Sequence, residues 1–253
     1  HLLWGIDDGA DDDRESLAMA QMAVADGIRT VVATPHQLGN YRHNSPDLIR
    51  GRVAALNEHL TAERVDLEVL PGADVRIEED LVELLRSGDV LTFADRGRHV
   101  LLELPHESFL PLDRLHARLA ADGMVGILSH PERNQAIQHD LSLLAPFLSA
   151  GGLLQITAGS LMGTFGGTAQ HVAETLLARG AVHFVSTDAH GIAKRRPLLR
   201  RAFRRVVELA GETAAIAMCC RNPAAVAEGR EVQAVRVTRP ARRRRLASLL
   251  SWR

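Results

Sequence analysis

Short apolar runs rich in β-branched residues alternate along this chain with longer stretches whose apolar positions recur every three to four residues. Residues 15–25 (ESLAMAQMAVA) have the helical spacing, and Gly27 is placed to end that helix. Residues 30–34 (TVVAT) read as a strand halted by Pro35. A helix is expected from the Ser45-Pro46 start to about Ala62, because Ser caps a helix and Pro suits its first turn. The alternation then repeats, with strands expected at 67–70, 100–104, 125–128, 153–157 and 183–186. Helices are expected at 78–86, at 112–121, up to 150, at 167–178 and at 197–209. Residues 1–9 begin at what reads as the end of a further strand. Roughly seven strand–helix units, with strands apolar on both faces, predict parallel βα units covered on both sides. An α/β barrel is favoured over an open sheet.

The polar residues sharpen this picture. His36, Asp74, Glu103, His130, Asp188 and His190 all fall at or just past expected strand exits. In a βα barrel those exits form one mouth, where active sites are built. Asp188 and His190 are two residues apart, so an extended backbone turns both side chains the same way. A hydrogen-bonded turn is the plain alternative for that pair taken alone. With His1 and Asp8 the set becomes four histidines and four carboxylates, more than one metal needs. The mix suits two or three divalent ions such as Mn²⁺, Fe²⁺ or Zn²⁺ sharing bridging carboxylates, an arrangement that hydrolyses phosphoesters. Arg133 and Arg195, in the loops after His130 and His190, are placed to hold a phosphate bidentately. The alternative for each is an ordinary surface charge.

Composition excludes several other classes. With 253 residues the chain can bury one large core, and a net charge of −1 gives no global field favouring nucleic acid. The two cysteines, Cys219 and Cys220, are adjacent and cannot form a disulfide framework, which points to the cytoplasm. No apolar run approaches the roughly 18 residues of a membrane span, and no signal peptide is expected. A cysteine phosphatase needs an Arg six residues after its nucleophile, where this chain has Ala225 and Val226. Both cysteines are expected in the core of a late helix. No Gly-x-Ser-x-Gly elbow supports a serine hydrolase. The chain divides into a body at 1–230 and a tail at 231–253, where a block from Arg242 to Arg245 precedes an apolar stretch. Such a tail can contact the inner face of an anionic membrane, each Arg adding roughly 1 kcal/mol near the surface. A solvated tail, or a helix packed on the body or on a second subunit of a homo-oligomer, are the alternatives.

Gly5-Ile6-Asp7-Asp8-Gly9-Ala10, Ala33-Thr34-Pro35-His36, Val75-Arg76-Ile77, Ser129-His130-Pro131-Glu132-Arg133, Gln155-Ile156-Thr157-Ala158 and Ser186-Thr187-Asp188-Ala189-His190 together carry a resemblance. In this order they resemble the PHP-domain protein-tyrosine phosphatases of bacterial capsule and exopolysaccharide operons. The resemblance runs from His1 to about Glu231. It implies a distorted (β/α)7 barrel of the PHP superfamily, a site of two to three metals with Mn²⁺ first, and hydrolysis of phosphotyrosine on a polysaccharide-assembly tyrosine kinase. His1, Asp8, His36, Asp74, Glu103, His130, Asp188 and His190 match metal ligands by this likeness, and Arg133 and Arg195 match the phosphate-binding arginines. His1 corresponds to the second His of the family's opening His-x-His, so the native N-terminus is expected upstream. Asp74 replaces a usual Glu, Trp4 a usual Pro and Gln37 a common second His. A PHP-type phosphatase of a small monoester such as histidinol phosphate is the nearest alternative, and a non-catalytic metal-binding module a more distant one.

Overall fold

The computed structural model describes residues 1–235 and Val237. In chain order the elements are α1 (Asp13–Asp26), β1 (Thr30–Val32), β2 (His36–Gln37), α2 (Pro46–Ala62), β3 (Glu68–Leu70), β4 (Asp74–Arg76), α3 (Leu81–Ser87), β5 (His99–Glu103), α4 (Asp113–Ala121), β6 (Val125–Ser129), α5 (Gln135–His139), α6 (Ala145–Ser149), β7 (Leu153–Thr157), α7 (Ala158–Leu161), α8 (Gly166–Ala178), β8 (Phe184–Ser186), α9 (Arg200–Ala210), α10 (Glu212–Ile216) and α11 (Asn222–Ala227). Local chemistry sets several of these limits. Asp12 caps α1 by accepting Glu15 N–H, and Gly27 closes the helix in the left-handed conformation. Ser45 accepts Leu48 N–H ahead of Pro46, as the sequence predicts for α2.

All strand pairs are parallel. β1 pairs with β3, and a six-stranded sheet runs β2-β4-β5-β6-β7-β8. β1 and β2 are two pieces of one extended run, broken at 33–35 where Pro35 offers no N–H. β3 and β4 are likewise broken at Pro71-Gly72-Ala73. Bonds from Ala33 N to Leu70 O (2.9 Å) and from Asp74 N to Pro35 O (3.0 Å) carry the ladder across both gaps. Gly72 is required there: a Cβ would sit 2.8 Å from Val32 Cγ1. The eight strands therefore form six lanes, each beside its predecessor in sequence. One consequence matters for function: every strand exit lies on the same edge. Residues 1–9, expected to open on a strand end, contain no strand.

The core explains the apolar strands. The first four residues of β5 are buried, and Leu3, Met19, Ile49, Leu56, Leu102, Leu128 and Phe147 are fully enclosed. Each such side chain contributes about 1.5–3 kcal/mol by leaving water. β1 and β8 both line a cavity of about 820 Å³ that reaches His1 and Asp188. Neither strand has a second ladder partner among the described residues.

Three expectations need correction. The helix expected up to 150 is broken into short pieces, because Asn134 caps α5, Asp140 accepts Ser142 N–H, and Pro146 restarts the chain at α6. The helix expected from 197 starts at Arg200, because Asp26 of α1 accepts Leu199 N–H and Arg200 N–H at 2.6 and 2.7 Å. The cysteines are not both core residues: Cys219 is half-buried and Cys220 exposed in a π-helical turn, Ala217–Arg221. No helix of the described residues is long and apolar enough to cross a membrane. The membrane contact expected of the tail lies outside the described residues, 231–235 and 237 apart.

Candidate metal centre

The strand register builds the site. His36 at the start of β2 pairs with Asp74 at the start of β4, and Arg76 pairs with Glu103 at the end of β5. His130 follows β6 directly, with φ 32° and ψ 51°, and Asp188 lies two residues past β8 with φ 48°. Arg195 has φ 49°. Left-handed backbone at a residue other than Gly is strained by about 1–3 kcal/mol, and such strain concentrates where side chains must be aimed. Here three of the residues singled out from the sequence carry it.

All eight candidate ligands meet at this end. Asp8 Oδ1 lies 3.4 Å from His36 Nε2, 3.4 Å from His190 Nε2 and 3.9 Å from His1 Nδ1. His36 Nδ1 lies 3.7 Å from Glu103 Oε2. His130 Nε2 is 3.8 Å from both Asp74 Oδ2 and Glu103 Oε1, and His1 Nε2 is 3.6 Å from Asp188 Oδ1. Most of these separations are too long for a hydrogen bond. Two atoms bound tetrahedrally to one ion at about 2.1 Å would lie about 3.4 Å apart. Two sets of atoms, from His1, Asp8, His36 and His190 and from His36, Asp74 and Glu103, each fall within 4.8 Å of one another. Three buried atoms in these sets, His1 Nε2, His190 Nε2 and Asp74 Oδ1, have no hydrogen-bond partner. Leaving buried polar atoms unpaired is costly, and cations held by the two sets would satisfy them. The donor set fits divalent metal ions.

The electrostatics agree. The His190 and His36 rings beside it hold Asp8 well below the usual carboxylate range. Burial opposes ionisation of Asp188, but His1, His130 and Arg195 outweigh it and keep that carboxyl low. Asp74 goes the other way, raised by burial and by the nearby Glu103 carboxylate. Burial disfavours a charged His1, yet the Asp188 and Asp7 carboxylates beside it raise it to about 10. Burial pushes His130 down to about 3, leaving a neutral imidazole suited to ligation. His130 and His190 are thus held toward the neutral form, whereas the carboxylates around His1 hold it protonated.

Arg133 and Arg195 are also here, each directed at a carboxylate. Arg133 Nη1 and Arg195 Nη2 donate to the same atom, Asp188 Oδ2, at 2.7 and 2.5 Å. Several neighbours escaped the sequence reading. Asp7 lies 2.5 Å from His1 Nδ1 and accepts N–H bonds from Gly9 and His36, so it orients two candidate ligands. Its adjacency to Asp8 was the only available signal. His106 is 3.5 Å from Arg133 Nη2, and Tyr41 stacks on His36 with centroids 5.2 Å apart. Gln37, in contrast, is buried and holds structure: it donates to Asn44 O and accepts from Leu91 N–H.

Known proteins carry the same body. Residues 1–228 match the family described as capsular polysaccharide synthesis, CpsB/CapC. The chain is 36% identical over 197 residues to the tyrosine-protein phosphatase YwqE of Bacillus subtilis, covering 77% of each chain. It is 24% identical over 229 residues to the tyrosine-protein phosphatase CpsB of Streptococcus pneumoniae, covering 88% of this chain and 94% of that protein. A solved structure from work on YwqE and CpsB, described as unique metal-dependent tyrosine phosphatases, superposes with a TM-score of 0.86 at 31% identity. That match covers 95% of this chain and 98% of the other. The cluster of candidate metal ligands at the strand exits and this shared body lead to one placement: the chain belongs to the CpsB/CapC family of capsular polysaccharide synthesis.

Proposed function

We propose that this protein is a metal-dependent phosphotyrosine-protein phosphatase whose substrate is a tyrosine kinase of capsular or exopolysaccharide assembly. The observation that carries this reading is the convergence of four histidines and four carboxylates at one sheet edge, beside two arginines. His1, Asp8, His36, Asp74, Glu103, His130, Asp188 and His190 would hold two to three divalent ions, with Mn²⁺ first and Fe²⁺ or Zn²⁺ as alternatives. Such ions supply Lewis-acid charge and an activated water at neutral pH. Asp7 fixes the tautomer and aim of His1. Arg133 and Arg195 would turn from Asp188 to the phosphoryl oxygens, orienting the group and balancing the charge that develops there.

The parallel sheet is read as the wall of a distorted (β/α)7 barrel of the PHP superfamily, with residues 1–230 as its body. Strand order that follows the sequence supports this, as does the cavity lined by both β1 and β8, the outer lanes among the described residues. The cytoplasm is the compartment in which such a kinase tail is accessible.

Metal titration tests the centre directly. After chelation and reloading with Mn²⁺, His130→Ala is expected to bind less metal and to lose about 10²-fold or more of kcat/KM on a phosphotyrosine peptide. Unchanged metal content and turnover in that variant would contradict the assignment.

A further inference from the structure

Phe165 is a half-buried aromatic that joins neither apolar cluster of the described residues. Its ring faces charge instead. Arg133 Cζ lies 4.3 Å from the ring centroid and Arg195 Cζ 6.0 Å. The ring is held from behind by close backbone approach: a Cβ on Gly159 would sit 2.8 Å from Phe165 Cε2. The segment that carries Phe165 is also tied to the loop that carries Arg133. Fully buried Glu132 accepts from Thr157 N–H (2.9 Å), Thr157 Oγ1 (3.1 Å) and Ser160 Oγ (2.7 Å) through its single atom Oε1. Arg133, the next residue, is therefore fixed at its backbone by that segment and faced at its guanidinium by the ring.

The two guanidiniums need such a surface. Both donate to Asp188 Oδ2, so two positive charges crowd onto one carboxylate oxygen. The negative face of an aromatic ring attracts a cation lying over it, and it accepts the flat face of a guanidinium while leaving the in-plane N–H fork free. A Leu in its place would fill space without that attraction. We propose that Phe165 is a positioning residue for the arginine pair, a π surface that holds Arg133 and Arg195 side by side so that both forks are at hand when a phosphate draws them from Asp188. The proposal rests on the reading of those arginines as phosphate binders.

The test uses the full chain loaded with Mn²⁺, a phosphotyrosine peptide as substrate and inorganic phosphate as a competing ligand measured by calorimetry. Phe165→Leu and Phe165→Ala are expected to raise KM and to weaken phosphate binding by about 5- to 10-fold, with metal content unchanged. Phe165→Tyr is expected to stay within about twofold of wild type, because it keeps the ring face. In an Arg133→Ala, Arg195→Ala background, Phe165→Leu is expected to add nothing. Wild-type KM and phosphate affinity in Phe165→Leu would overturn the proposal, since the ring would then only fill space. A fall in metal content in Phe165→Leu would also overturn it, by making the ring a support of the metal centre. Should Phe165→Ala not fold, Phe165→Leu and Phe165→Tyr still decide. If Arg133→Ala and Arg195→Ala themselves leave phosphate affinity unchanged, the phosphate reading fails; if they weaken it and Phe165→Leu does not, only this inference fails.

Discussion

Asp7 and Asp8 are neighbours in sequence with different work to do. Asp8 faces His36 and His190, whereas Asp7 turns inward, is enclosed and holds His1. The sequence made Asp8 legible through a motif, but nothing in a one-dimensional pattern tells which of two adjacent carboxylates turns toward a ring. Phe165 was hidden for a related reason: an aromatic in a loop reads as core until its partners prove to be arginines. His99 gives a prediction away from the site. It opens β5 with only 1% of its surface exposed, and its Nδ1 has no partner. Burial, helped by Arg98, lowers it from 6.5 to about 4. The folded state therefore keeps His99 neutral while the unfolded chain takes up a proton between pH 6.5 and 4. Its stabilisation is complete above pH 6.5 and falls as pH drops through that window, on the order of 3 kcal/mol in all. Denaturant midpoints from pH 7.5 to 4.5 are expected to decline less steeply in His99→Leu than in wild type. Parallel declines would show that another group sets the acid limb.

The strands were easier to read than the helices that join them. Strand exits stood out because Pro35, Asp74 and the loop after β6 interrupt apolar runs abruptly. The division of two lanes into β1–β2 and β3–β4 was not visible, because it depends on Gly72 passing close to Val32 in the folded chain. The start of α9 was missed because its cap comes from Asp26, 173 residues earlier. That cap matters beyond its helix, since α9 follows the loop that bears Asp188, His190 and Arg195. Asp26→Ala is expected to cost about 1 kcal/mol and to lower Tm by roughly 2–4 °C. Melting by calorimetry checks this; an unchanged Tm would mean that water replaces the carboxylate without loss.

Across the whole molecule, six parallel lanes in sequence order put every strand exit on one edge, and the candidate site is the consequence. That placement was legible from alternation alone. The edges of that sheet were not: among the described residues β1 and β8 each have one ladder partner and line a shared cavity, and residues 1–9 add no strand. The site's chemistry belongs to metal-assisted phosphoester hydrolysis, but metal ligands do not by themselves choose a substrate. The loops around the mouth must do so, with Tyr41, His106 and Phe165 among their contributions. The most direct measurement is therefore kcat/KM of the Mn²⁺-loaded protein on a tyrosine-phosphorylated kinase tail and on histidinol phosphate, with His130→Ala as control. The account predicts a preference for the phosphotyrosine substrate of at least about 10²-fold, abolished in the variant. Preference for histidinol phosphate, or equal turnover by His130→Ala, would contradict it.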